Sequence, residues 1–506
     1  MHRLHEWRQK NYWLIATSFA FALLTLPSLL LLWRHLCDSP GVSWSTTFIA
    51  TAWDARLWPV FDHHLPKWLG DVLVWIAFIT AGLCYFFQLK RSSCFHQRTS
   101  WLWGLLWISL LVFVVPFDSR DLFGYVNRGV QLGLLKMNPY VHPVAEVANW
   151  QHHPLLTDHW LSNPSPYGFA FTALCGGMLW VLTHLKIQAL GVLLAFKLLM
   201  AMAHIGVSVL VRRLSPPQEA DRNFRLVLWH PLLLLQLIAN GHNDVLMAFF
   251  LLLAITLTAN YCVSRPLQAN SIWILPALMA SILIKWLTAI STPFFLMALW
   301  QVPAACRWRL VWRSGLLAFA ILGLSMLPFL ATFSDIHWQL MANNAGMSQH
   351  SIQSSLYRIG YYVAHWFFPS ATPWLDLWRQ GIKITCLGLY ALSLGWLIWY
   401  YGRRVRESAT YELAWSICAA LLGLVLLASG KFHAWYLAVI IPLALTLPRQ
   451  SQLRQAVIVL SLVQLLAFTP LQNVHVWNGV LMIATPLAAV FLARRPNSSV
   501  SQSLPS

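Results

Sequence analysis

Residues 12–33, YWLIATSFAFALLTLPSLLLLW, run without a single charged side chain. At 1.5 Å of rise per residue, about 20 such residues carry a helix across the ~30 Å hydrocarbon core of a bilayer. The run is longer than the roughly 7–15 residue core of a cleavable signal, and no small-residue cleavage site follows it, so it is expected to remain as a span. The pattern recurs out to Arg494, with further spans expected near 68–88, 100–117, 188–211, 226–239, 245–263, 271–288, 290–301, 314–333, 380–401, 411–429, 436–448, 453–470 and 477–494. Of the 506 residues, 58% are hydrophobic and 10% charged, with a mean hydropathy of +0.59; a soluble domain carries roughly a quarter charged residues. The expected fold is all-α, a polytopic membrane protein with about 12–14 transmembrane helices. It forms a single transmembrane domain over 1–495, ahead of a disordered polar tail at 496–506. Chemistry is then confined to the loops.

The net charge of +18 is large enough for a nucleic-acid-binding protein, but cytoplasmic loops of membrane proteins collect Lys and Arg. With Met1–Lys10 inside, the basic loops Lys90–Arg98, Arg212–Arg225, Arg265, Arg307–Arg313, Arg403–Arg406, Arg449–Arg454 and Arg494-Arg495 also fall inside, which accounts for 21 of the 34 Lys and Arg. Eleven of the 16 acids, and most of the 19 histidines, fall outside. The basicity therefore reflects topology. Both termini are expected in the cytoplasm, and no nucleic-acid partner is implied. Of the 8 cysteines only Cys37 and Cys175 reach the outer side, and none forms a CxxC pair, so neither a disulfide framework nor a zinc site is indicated. No cofactor is expected, with the need for a divalent metal left open.

Spans 226–239, 290–301 and 436–448 are too short for straight crossings and are expected to be broken or tilted. Irregular backbone at membrane depth survives where protein or a water-filled cavity satisfies it. Counting Gly168–Leu185 as a crossing would put Arg212, Arg213, Arg222 and Arg225 outside, so it is expected as an interfacial or re-entrant helix. That leaves two long outer segments, 118–187 and 334–383. Connections in compact proteins are typically about 4–6 residues, and longer ones are usually functional.

The first candidate site is Pro116-Phe117-Asp118-Ser119-Arg120-Asp121-Leu122-Phe123-Gly124-Tyr125 at the end of a span. A carboxylate at the edge of an apolar cavity is shifted toward neutrality by desolvation, which suits it to take a proton from a hydroxyl. An ordinary helix cap is the competing reading. Downstream, Arg128 and Lys136 are placed to face an anionic partner, within turns built on Asn138-Pro139-Tyr140 and Ser165-Pro166-Tyr167-Gly168. Tyrosines at this depth also serve as plain interface anchors. The second polar island, Asn240-Gly241-His242-Asn243-Asp244, lies between two apolar runs and reads equally as a site or as a turn with an Asp cap. Lys197 is expected to snorkel. Lys285, before a break in its run, can meet a phosphate. Lys431, His433, Trp435 and His350 stand at other outer boundaries, and any of them can equally be a surface residue. No HExxH or paired-His spacing supports a metal site.

Taken in order, Ser119-Arg120-Asp121, Tyr125, Gly129, Gly133, Asn138-Pro139-Tyr140, Pro143, Ser165-Pro166-Tyr167-Gly168, Gly241-His242-Asn243-Asp244 and Ala434-Trp435-Tyr436-Leu437 resemble the polyprenol-phosphate-mannose-dependent α-1,6-mannosyltransferases of the GT-C glycosyltransferase superfamily. The resemblance covers about residues 100–445. It implies a helical membrane enzyme of the plasma membrane whose first long outer loop carries a catalytic Asp, matching Asp121, with Asp118 either spare or a supporting group behind it. It also implies a polyprenyl-phosphate sugar donor, a glycan or glycolipid acceptor, and inverting transfer of a hexose, expected to be mannose. The leaving phosphate would be met by Arg120, Arg128, Lys285 or His242, while Tyr140, Tyr167 and Trp435 pack on sugar or prenyl carbons. The chain departs from the family pattern at Phe169, where Pro is common, and at Asn240, where Gly is frequent. A secondary transporter or flippase of a lipid-linked sugar would share the spans and broken helices. Against it stand the membrane-edge acids and the absence of an internal repeat. A non-catalytic scaffold leaves the polar turns unexplained.

Overall fold

The computed structural model describes residues 12–26, 28–29, 67–90, 97–264, 269–302, 304–338, 350–367, 372–405, 409–467, 481–482 and 484–485. The expected span at 477–494, the polar tail, the N-terminal arm and Cys37 lie wholly or largely outside these residues. The described chain is helical, and its β pairing is an isolated antiparallel bridge between His350 and Lys431.

Among the described residues, four helices are long and apolar enough to cross a membrane: Ala189–Leu214, Cys306–Asp335, Trp374–Arg404 and Tyr411–Ala428. A fifth arises if the pair Pro231–Ala239 and Asp244–Ala259, bent by 118°, is one broken span. Several more apolar helices of 10–17 residues, Tyr12–Leu26 and Phe169–His184 among them, pack around these. The chain is an all-α polytopic membrane protein. Its lipid-type faces are plain on the least buried spans, where Leu316, Phe319, Leu324, Ile384 and Leu392 are exposed.

The helices used below are α1 (Tyr12–Leu26), α2 (Lys67–Lys90), α3 (Gln97–Val112), α4 (Asp121–Gly129), α5 (Phe169–His184), α6 (Ala189–Leu214), α7 (Ala220–Leu228), α8 (Pro231–Ala239), α9 (Asp244–Ser264), α10 (Ile274–Ile284), α11 (Thr292–Trp300), α12 (Ala304–Met326), α13 (Ile352–Phe367), α14 (Thr372–Arg404), α15 (Ala409–Gly423), α16 (Leu437–Thr446) and α17 (Gln452–Ala467). The three short runs differ in form, and a break falls inside one of them. The run 226–239 breaks at Trp229-His230, where Pro231 opens α8 because proline suits a first helical position. The run 290–301 follows a kink at Lys285, whose backbone is extended (φ −154°, ψ 125°) between α10 and a 3₁₀ segment. The run 436–448 opens as a 3₁₀ turn at Ala434–Tyr436 before α16.

Two expected boundaries move. The segment 334–383 is not an open loop, since α13 and the first turns of α14 lie within it. Charged residues are tolerated there because they sit on exposed helical turns, with Arg379 lying 5.7 Å from the Tyr357 ring centre. Helix α12 likewise starts ahead of the expected 314, taking in Arg307, which stacks 4.6 Å over Trp300.

The helices pack at their smallest residues. A Cβ on Gly133 would run into the Gly176 carbonyl, so α5 can lie directly on the turn that continues α4. Along α3, Ser100, Gly104, Trp107, Ile108 and Leu111 share a buried face at helical spacing. Trp107 stacks edge-on to Phe21 of α1 at 5.7 Å and donates to Ser18 Oγ at 2.8 Å. Lys197 does not snorkel. It is buried in α6 and donates to the Val112 and Val114 carbonyls at the end of α3, which lack helical partners of their own.

Helix α6 has two contrasting ends. Phe196, two turns in, packs on Tyr125 of α4 at 6.4 Å, whereas Arg212 at the other end pairs with Asp221 at 2.7 Å. That far end carries a basic network. Buried Arg454 bonds to Glu219 at 3.1 Å and Asn223 at 2.8 Å, Arg449 reaches Glu219 at 3.2 Å, and Arg222 donates to the Leu89 carbonyl at 2.6 Å. A buried guanidinium with its donors satisfied locks α7 to α16 and α17; stripping its partners would cost about 3–5 kcal/mol.

Candidate active site

The polar residues at the opposite end converge from four segments: the start of α4, the 150–165 loop, the turn between α8 and α9, and residues 429–436. Asp121 is the first residue of α4, and its amide donates to Ser119 Oγ at 3.1 Å. Its carboxylate lies between two imidazoles, with Oδ1 3.6 Å from His159 Nε2 and Oδ2 3.5 Å from His242 Nδ1. Both separations are longer than a normal hydrogen bond. His159 Nε2 and both ring nitrogens of His242 are buried without a hydrogen-bond partner, as is Asn243 Nδ2. Buried polar atoms in native proteins are normally satisfied, so a cluster of four beside one carboxylate marks a place for a polar ligand.

The expected upward drift of the acid is reversed. Burial does push the Asp121 carboxyl up, but the His159 and His242 imidazoles outweigh it and hold the group well below the usual carboxylate range. Asp121 is therefore ionised at neutral pH. Burial in turn pushes His159 down, against the pull of Asp121, so that ring is neutral there.

The 240–244 turn is built to serve this site. Gly241 has φ +75°, and a Cβ there would sit 3.1 Å from Leu122 Cδ1. Asn240 Oδ1 accepts the amides of Phe117 at 2.9 Å and Asp118 at 3.1 Å, and Gln236 donates to Asp118 Oδ2 at 3.3 Å. Asn240, one of the departures from the family pattern, thus clamps the strand of chain leading into Asp121. Asn243 exchanges two bonds with the Tyr125 hydroxyl, accepting it at 3.2 Å and donating its own amide to it at 3.1 Å. Asp244 opens α9 and is fully buried against Lys285, whose Nζ is 2.8 and 2.9 Å from its two oxygens and 4.8 Å from the Tyr436 ring centre.

Trp435 lies between two histidines. His242 stacks on it at 3.9 Å and 16°, His433 at 4.2 Å and 3°. Two rings so close to one indole cannot lie side by side on a face without overlapping, so they take opposite faces. Both stacked faces of Trp435 are thus taken up by imidazoles, and its indole sets the plane of His242. Burial pushes His433 down to about 3, so that ring is uncharged in the stack. Beside it, His350 bridges to Lys431, and His350 and His433 rings are 6.2 Å apart.

Other expected site residues are placed elsewhere. Arg128 does not face outward. It is buried, bonded to Gln131 Oε1 at 2.8 Å and to the carbonyls of Trp160 and Asn163 at 3.4 and 2.7 Å, because the 160–163 loop folds over it. Lys136 turns back onto the Gly133 carbonyl at 2.8 Å. Asn138 ties to Thr332 at 2.7 Å, and Tyr140 is buried among Phe169, Leu283 and Phe329, its hydroxyl shared by the Tyr167 carbonyl and Thr172. The contacts of Tyr140 are therefore with the protein's own core. Tyr167 lies edge-on to Tyr125 at 5.0 Å, inside the core under α4. Arg120 pairs with Asp158 at 3.3 Å. His159 was not singled out from sequence, for it falls in a loop with no spacing signal and reaches the site only through folding of 150–165 over α4. Among the described residues no group of three or more His, Cys, Asp or Glu side chains is arranged to hold a metal ion.

Residues 38–301 match the family model described as the alpha-(1->6)-mannopyranosyltransferase N-terminal domain. The chain is 25% identical over 423 residues to alpha-(1->6)-mannopyranosyltransferase A of Mycobacterium tuberculosis (strain ATCC 25618 / H37Rv), covering 76% of this chain and 73% of that one. It is 28% identical over 159 residues to alpha-(1->6)-mannopyranosyltransferase B of Corynebacterium glutamicum, covering 30% of this chain and 25% of that one. No solved structure matches. The matched region contains Asp121, His159 and the whole 240–244 turn, so the clustered acid and imidazoles fall within it, and the chain belongs to the alpha-(1->6)-mannopyranosyltransferase family.

Proposed function

We propose that this protein is an integral-membrane mannosyltransferase that moves mannose from a polyprenyl-phosphate donor to a hydroxyl of a glycan or glycolipid acceptor. The reaction takes place on the extracytoplasmic face of the plasma membrane, with both termini cytoplasmic. Asp121 is the general base. The acceptor oxygen bonds to the anomeric carbon as its proton passes to an Asp121 oxygen. The bond from that carbon to the phosphate oxygen breaks with its electron pair, releasing polyprenyl phosphate, and a single displacement of this kind inverts the anomeric centre.

The observation that carries the reading is the ionised Asp121 carboxylate flanked by buried, unpartnered imidazole nitrogens. Membership in the mannosyltransferase family supports the sugar. Asp118, held by Gln236 and Asn240, supports the loop rather than the proton transfer. The test is transfer of labelled mannose from polyprenyl-phosphate mannose by purified protein. Asp121→Asn keeps size and hydrogen-bonding capacity, so it should insert and fold normally yet transfer at least about 100-fold more slowly, the low end of what a general base supplies. Full transfer by that variant would sink the assignment. Silence from the wild type with a proven acceptor pool would turn attention to donor flipping.

A further inference from the structure

The departing phosphate needs a cation, and the four groups expected from sequence to supply it are otherwise engaged. Arg128 is spent on backbone carbonyls and Arg120 on Asp158. Lys285 is neutralised by both oxygens of buried Asp244. His242 is fully buried, stacked on Trp435 and turned to Asp121.

We propose that Lys431, set beside His350 at the rim of the site, is the cation that binds the donor's phosphate; the inference rests on the donor class proposed above. The ammonium of Lys431 lies 5.9 Å from the ring centre of Trp160, a contact that holds the charge over a π face without neutralising it. No carboxylate among the described residues lies within ion-pair distance of it. Its place is fixed by the backbone: the His350–Lys431 bridge, Ser351 Oγ donating to the Gly430 carbonyl at 2.7 Å, and Gln353 donating to the Leu427 carbonyl at 2.7 Å. Those bonds also bring the start of α13 to the same spot. Ser351 and Ser354 cap each other's amides there, and the positive end of a 16-residue helix adds to the local field. His350 is held at φ +52°, a conformation rare for residues with a side chain and concentrated at functional sites. Lys431 and His433 both feel the charge of Asp121, so the phosphate site and the base belong to one cluster.

The test uses full-length protein carrying Asp121→Asn, so that binding is read without turnover, with a polyprenyl monophosphate in detergent as the probe. In that background Lys431→Gln should weaken binding about tenfold or more, the loss expected for one charge-assisted phosphate contact, while Lys431→Arg restores most of it. Inorganic phosphate at millimolar concentration should compete weakly, which separates the headgroup contribution from that of the prenyl chain. With Asp121 intact, Lys431→Gln should raise the KM for the donor and leave the KM for the acceptor unchanged. Equal probe binding with and without Lys431 overturns this inference and leaves the general-base reading standing. No probe binding by the wild-type protein overturns the donor class itself, and this inference with it. Full transfer by Asp121→Asn combined with lost probe binding in Lys431→Gln would remove the base and keep the phosphate site.

Discussion

At the residue scale, the proposed chemistry depends on how two imidazoles set the acidity of one carboxylate. Burial and the histidines pull Asp121 in opposite directions, and the histidines prevail. Removing His159 leaves the upward pull of burial less opposed, so the Asp121 pKa rises in His159→Ala. Because the base must be ionised to work, the acid limb of the kcat/KM profile should move to higher pH in that variant, with the plateau at neutral pH reduced far less than in Asp121→Asn. An acid limb that stays in place would mean that His159 does not act through the carboxylate. The same logic explains why the sequence reading had the sign wrong. Depth at the membrane edge is visible in a hydropathy pattern; the approach of His159 from a loop 38 residues downstream is not.

At the scale of elements, the site depends on a turn with little freedom. Gly241 takes a conformation that other residues resist, and Asn240 closes the approach to Asp121 by accepting two successive amides. Asn240→Ala removes this acceptor from both amides in a partly buried setting, at a cost of about 1–3 kcal/mol. The expected result is a lower melting midpoint together with reduced kcat, measurable by thermal unfolding in detergent and by mannose transfer; an unchanged midpoint would show that the clamp is dispensable. Much of this architecture was legible beforehand. The run 226–239 was too short for a straight crossing and is broken, and the polar island at 240–244 stood out as a site or a capped turn, because both violate what a lipid-facing helix tolerates. The partners were not legible. Nothing in the spacing of Lys285 and Asp244, or of Arg128 and Asn163, distinguishes an internal ion pair or a loop tether from a substrate contact, since both uses select the same residue types.

At the scale of the whole molecule, the 26 residues of α6 measure the distance between two chemically unlike ends. The Asp121 cluster is near its start, and the Arg212, Arg449 and Arg454 network is at its finish. A helix of that length rises about 39 Å, enough to cross a bilayer with both ends in headgroups. If the basic end is cytoplasmic, a cysteine placed at Lys186 should react with a membrane-impermeant maleimide in intact cells, and one placed at Arg213 should react only after permeabilisation. Labelling in the reverse pattern would move the site to the cytoplasmic side and rule out the proposed extracytoplasmic transfer.

The bent α8–α9 pair also bears on how the protein is made. Its polar turn finds Phe117, Asp118 and Tyr125 already synthesised when it leaves the ribosome, so Asn240 and Asn243 can pair at once. Asp244 has no such luck: its partner Lys285 is 41 residues further along the chain. The ion pair that ties the start of α9 to the end of α10 can therefore close only after α10 has been delivered.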